Sequence, residues 1–145
     1  MSSEKIQIFL KNNNWWFDDV AGEYLSVLDQ MGVERDSEFG EFYLHAEGIP
    51  NFVSAHGELL QVCWAALNTR YIEGTKKLQD TLGLPSSFIA LDSFEGGSGY
   101  FYDRLSKGVY EVELGAKLSA IKNGCLPDWQ RFSHFLEFFF EIESK

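Results

Sequence analysis

Few side chains in this sequence could do chemistry, and they are scattered. His45, His56 and His134 lie far apart, and none has a second ligand at metal-binding spacing. A zinc site needs several Cys, His or carboxylate ligands converging on one point. Cys63, Cys125 and the histidines could meet only through the tertiary fold. Ser93, Ser98 and Ser133 stand outside any strand–turn–helix nucleophile motif. Glu111 and Glu113 have the spacing of a solvated strand face. As general acid and base they would need surroundings that split their pKa values. The loop Glu95-Gly96-Gly97-Ser98-Gly99 resembles a phosphate cradle in its glycines alone. Such a cradle feeds a helix amino terminus and usually carries a lysine. Here the chain runs into Tyr100-Phe101-Tyr102, and Asp92, Glu95 and Asp103 would repel phosphate. No catalytic, metal-binding or cofactor-binding constellation emerges, so the residues point away from an enzyme.

What remains is a surface. Asp92, Glu95, Asp103, Glu111 and Glu113 fall in or beside one strand-rich stretch, interleaved with Tyr100 and Tyr102. Such a patch suits a basic protein partner, because opposite charge raises the association rate and aromatic anchors supply affinity. The plain alternative is a solvated sheet face with no partner. Twelve basic against 22 acidic residues give a net charge of −10. That balance disfavours nucleic acid and anionic membranes. It favours a cationic partner, or serves solubility alone.

Positioning these residues falls to residues 88–114. A short apolar run, Phe88 to Leu91, is followed by glycine-rich turn chemistry, an aromatic strand from Tyr100 to Asp103, and a second turn at Ser106-Lys107-Gly108. Over 109–114 the pattern alternates, with Tyr110, Val112 and Leu114 on one face and Val109, Glu111 and Glu113 on the other. Alternation between turn signals predicts an antiparallel three-stranded meander with one buried face.

The remaining segments should cover that face. Residues 4–11 suit a helix or a strand. Trp15-Trp16-Phe17 is read as core packing in preference to a surface recognition patch. A helix is expected over 19–31, capped by Asp18 or Asp19 and stopped by Gly32. A second follows Ser37, with Phe39, Phe42, Tyr43 and Ala46 inward, and ends by Gly48 and Pro50. Residues 48–57 read as a loop and 59–64 as a strand. Asn68 is expected to cap a helix running to Leu82. Residues 116–123 fit either helix or strand. The last helix, over 128–143, carries Phe132, Phe135, Leu136, Phe139 and Ile142 as an apolar stripe expected to lie on the sheet.

These elements make a single α+β domain spanning 1–145, a mainly antiparallel sheet with a central meander covered by helices. Both cysteines have apolar or small neighbours, as buried free thiols would. The first residues do not read as a signal peptide and no run of about 18 apolar residues occurs, so a cytoplasmic location is expected.

Several stretches resemble the SUKH superfamily. Phe39-Gly40-Glu41-Phe42-Tyr43, ending in Glu47-Gly48, is similar to its aromatic helix. The stretch from Leu91 through Gly96-Gly97-Ser98-Gly99 to Asp103 resembles its glycine-bearing strand–turn–strand. Lys107-Gly108-Val109-Tyr110 is similar to its hairpin, and Trp129 to Phe139 to its closing helix. Where that family often has a proline-containing start to the aromatic helix, Glu34-Arg35-Asp36-Ser37 stands. The resemblance implies a bacterial immunity protein that neutralises a polymorphic or contact-dependent toxin, with no catalytic residues of its own. Some relatives in that family are regulatory adaptors. The partner implied is a protein toxin; the acidic patch read above from the residues, Asp92, Glu95, Tyr100, Tyr102, Asp103, Glu111 and Glu113, is where a basic toxin is expected to be met.

Overall fold

Apolar spacing sets the buried faces of the helices, while their boundaries are set partly by local capping side chains and partly by distant partners. The computed structural model describes residues 4–48 and 51–142. The chain divides into one unit of Met1–Thr69 with Ser133–Lys145 and another of Arg70–Phe132. Its class is α+β, with helices and two small antiparallel sheets among the described residues.

In the first unit, α1 (Glu4–Asn12) buries Ile6 and Leu10. Helix α2 (Gly22–Met31) begins later than its spacing predicts. Neither expected aspartate caps it: Ala21 holds that position, and Asp18 instead accepts from Trp16 Nε1 at 3.0 Å. Gly32 ends it in the left-handed conformation, which glycine adopts without strain. Ser37 caps α3 (Glu38–His45) as expected, its hydroxyl accepting from the Gly40 amide at 3.0 Å. Phe39, Phe42, Tyr43 and Ala46 are all buried. A Cβ at Gly40 would run into the Glu34 carbonyl, so only glycine lets the cap loop lie this close.

The segment expected as a loop forms a hairpin, β1 (Phe52–Ser54) paired with β2 (Gly57–Leu59). Pro50 lies outside the described residues. The run 59–64 is no single strand: Leu59 closes β2 and Val62 opens α4 (Val62–Asn68). Gln61 is the reason. It is fully buried, and its Oε1 accepts from the amides of Cys63 and Trp64, supplying the cap a helix start needs. Its Nε2 donates to the carbonyls of Tyr43 and Ala46 at 2.9 and 2.8 Å. Phe9, Trp15, Phe42, Phe52 and Phe140 form an aromatic cluster in the same unit, with centroid distances from 4.9 to 6.4 Å. Truncating one such ring to alanine costs roughly 3–5 kcal/mol.

In the second unit, α5 (Tyr71–Leu82) starts after Arg70. Asn68 does not cap it but bonds back to Trp64 O at 3.0 Å. The meander forms in the expected order, β3 (Phe88–Ala90), β4 (Ser98–Asp103) and β5 (Val109–Glu113), antiparallel throughout. Thr75 Oγ1 accepts from the Ala90 amide at 3.0 Å, and the Tyr71 hydroxyl donates to the Ala90 carbonyl, fastening α5 to β3. Residues 116–123 resolve as a helix, α6 (Ala116–Lys122), packed near β5.

The final helix, α7 (Phe132–Phe139), is shorter than its stripe predicts, and Glu143 lies outside the described residues. Residues before it are extended: Trp129 bridges Val109, their amides and carbonyls exchanging bonds of 2.8 and 3.1 Å. In the first unit, Glu38 receives the Ser133 amide at 3.0 Å and its hydroxyl at 3.2 Å, capping the rest of α7. Cys63 is buried as expected; Cys125 is exposed, because the turn after α6 leaves it on the outside.

Candidate functional site

The meander's register decides which expected site residues share a face. Tyr100 lies opposite Glu111 and Ser98 opposite Glu113, so these four point the same way. Trp129, brought in by its bridge to Val109, sets its ring edge-on to Tyr100 at 5.8 Å. Asp128 accepts from the Glu111 amide at 2.8 Å and pairs with Lys117 at 2.7 Å. Glu113 is exposed and Glu111 and Tyr100 are half-buried. Burial first, then Glu111 and Asp92, push the Tyr100 hydroxyl above its usual pKa, so it stays a neutral donor. Tyr100, Trp129, Glu111 and Glu113 form the open end of this face.

The other expected residues are placed differently. Tyr102 is 2% exposed and packs edge-on against Phe132 at 5.5 Å, so it offers no ring to a partner. Asp103 is buried and accepts from the Leu105 amide at 3.1 Å, holding the β4–β5 turn. Asp92 is turned inward and accepts from the amides of Phe94 and Tyr100 at 3.1 and 3.2 Å. It fits only because residue 99 is glycine; a Cβ there would collide with the carboxylate. Burial pushes its pKa up to about 6 against the downward pull of those two amides. Glu95 is exposed on the 3-10 turn Glu95–Gly97. Of the five expected carboxylates, Asp103 therefore builds a turn from within, and Asp92 does so half-buried.

The first unit holds a feature that no single stretch of sequence announces. Trp15 to Phe17 runs as a ribbon antiparallel to His45–Glu47, through Phe17 N to His45 O at 2.8 Å and Glu47 N to Trp15 O at 2.9 Å. Between this ribbon and the start of α2 lies a cavity of about 370 Å³, lined by Phe17, Asp19, Tyr24, His45 and Glu47 with parts of Ala21 and Leu44. The Tyr24 hydroxyl donates to Glu47 Oε1. The second Glu47 oxygen takes no hydrogen bond from a described residue. Burial raises the Glu47 pKa, opposed by that hydroxyl; burial and then Glu47 raise that of Tyr24. His45 Nδ1 lies 2.8 Å from the Phe17 carbonyl, which can only accept, so Nδ1 carries a proton. Trp16 stacks behind the imidazole at 4.7 Å and fixes its plane. Cys63, whose thiol lies 3.8 Å from the Tyr24 carbonyl, is pushed up to about 12 by burial and stays a thiol.

Tyr24 reads in sequence as one member of a helical stripe, and Glu47 as the end of a helix. The available signal was Glu47 itself, a lone acid between the apolar Ala46 and a glycine, all following a buried aromatic helix. Among the described residues, no three His, Cys, Asp or Glu side chains converge as a metal site, and no helix is long and apolar enough to cross a membrane. Comparison of the chain with protein-family models, curated proteins and solved structures gives no match.

Proposed function

We propose that this chain is a cytoplasmic immunity protein of the SUKH kind, which binds a cognate polymorphic or contact-dependent toxin and covers its active or substrate-binding surface. The observation that carries the reading is the open end of the meander face. There a half-buried aromatic pair, Tyr100 and Trp129, sits beside Glu111 and Glu113 in a chain of net charge −10. Aromatic anchors with acidic neighbours suit a cationic protein surface. A nuclease toxin presents such a surface, because it must attract phosphate.

The test is coexpression with the toxin encoded beside this chain. Wild type should restore growth and copurify with the toxin. The double variant Glu111→Lys/Glu113→Lys should weaken the complex at least tenfold while leaving the fold intact. Absence of both rescue and complex removes the proposal; unchanged affinity of the double variant removes the meander face from it.

A second reading, an intracellular adaptor or small-ligand-binding module without a toxin, draws support from the cavity beside Tyr24 and Glu47. A metabolite that raises the melting temperature of a chain with no toxin complex would favour that reading, since ligand bound only to the folded state stabilises it.

A further inference from the structure

We infer that the cavity of the first unit is a receptor for a guanidinium group, with Glu47 as its counter-ion. The inference stands apart from the toxin reading, because it concerns a different unit and a ligand chemistry either reading could use. The lining, the pairing and the volume of the cavity select the ligand. Its ionisable lining residues besides histidine and tyrosine are Asp19 and Glu47, with no lysine or arginine among them, so an anion is repelled. Among the described residues no lysine or arginine pairs with Asp19 or Glu47, so these acidic lining residues have no internal counter-ion.

A neutral apolar ligand would seal the Glu47 carboxylate away from water with one oxygen unpaired, a costly arrangement. A hard metal ion needs about six oxygen ligands, and two carboxylates with one hydroxyl fall short. A guanidinium satisfies both needs. Its N–H groups make charge-assisted bonds to a carboxylate oxygen, and its flat cation lies well on an aromatic face. The walls supply those faces: Phe17, about half exposed, Tyr24, and the His45 ring held in plane by Trp16. The Tyr24 hydroxyl holds Glu47 Oε1 in place and leaves Oε2 for the ligand. A volume of about 370 Å³ is at the small end for ligand sites and suits a side-chain-sized group. Burial already raises the Glu47 pKa, a penalty that an adjacent cation relieves.

Nuclear magnetic resonance titration of the full chain tests this with three probes. They are ethylguanidinium, the capped peptide Gly-Arg-Gly, and its citrulline counterpart, which keeps the shape and loses the charge. The expected result is saturable shifts at Phe17, Tyr24 and His45 with a guanidinium probe, at least tenfold weaker for citrulline. Ethylguanidinium alone binding assigns a free small ligand; the arginine peptide binding as well assigns a protein side chain. Glu47→Gln should weaken binding about tenfold with the rest of the spectrum unchanged. Asp19→Asn, on the exposed rim and clear of the core, should weaken it two- to threefold. No saturable shift with either guanidinium probe, or citrulline binding as well as arginine, overturns the inference. Should wild type bind the toxin while Glu47→Gln binds both toxin and peptide equally well, the cavity fails and the toxin reading stands. Should the toxin not bind while the peptide does, the reverse holds.

Discussion

Glu47 in the first unit and Asp92 in the second are both carboxylates drawn away from water, and their partners set them apart. Asp92 spends one oxygen on the Phe94 amide and the other on the Tyr100 amide, and glycine at 99 lets it come that close. It is a turn-builder with nothing left to offer a ligand. Glu47 has one oxygen held by the Tyr24 hydroxyl, its other oxygen takes no bond from a described residue, and the side chain lines a cavity. Acidity in the sequence is thus a poor guide to availability; what separates the two is how many backbone donors reach the carboxylate. Gln61 extends the comparison. It builds a turn as Asp92 does, but it is neutral, so its burial carries no charge penalty.

The largest expected effect is therefore at Gln61. Replacing it with alanine removes its bonds with two helix-start amides and two carbonyls. Chemical denaturation should show a loss of about 3 kcal/mol, from several unmade buried bonds at 1–3 kcal/mol each, partly offset by relaxation. A loss below about 1 kcal/mol would mean that water or a neighbour replaces the side chain.

A smaller, pH-dependent effect is expected at Asp92. Its folded pKa, about 6, lies above the value near 4 of an exposed aspartate. The folded chain then holds the proton more tightly than the unfolded chain, so the Asp92 contribution to stability falls as pH rises from about 4 to about 6. Asn at this position removes that titration. Subtracting the stability profile of Asp92→Asn from that of wild type should leave a wild-type decline confined to this window. A flat difference, or one rising with pH, would show that the two amides outweigh burial.

The helices that local chemistry controls were legible: Ser37 and Gly32 mark their boundaries as capping rules require. The meander was legible too, since its alternation and turns are written within 27 residues. Where the structure departs from the local pattern, a distant partner is the cause. The run 59–64 is apolar enough for a strand, and only the bonds from Gln61 to distant carbonyls reveal a helix start. Trp129 looked like part of the final helix, yet Val109, twenty residues earlier, pulls it into a bridge. Tyr102 and Tyr100 look equivalent along the strand; Phe132 buries one and leaves the other open. The cavity depends on a ribbon pairing residues about 30 apart, which no local pattern encodes.

That the chain works by meeting positive charge is tested most directly by the affinity of its complex with the purified toxin domain at 50 and 300 mM salt. Screening over this range weakens contacts between exposed charges. The dissociation constant should be at least tenfold weaker at the higher salt, with wild-type stoichiometry unchanged. A complex whose affinity is the same at both concentrations, or no complex at either, would contradict it.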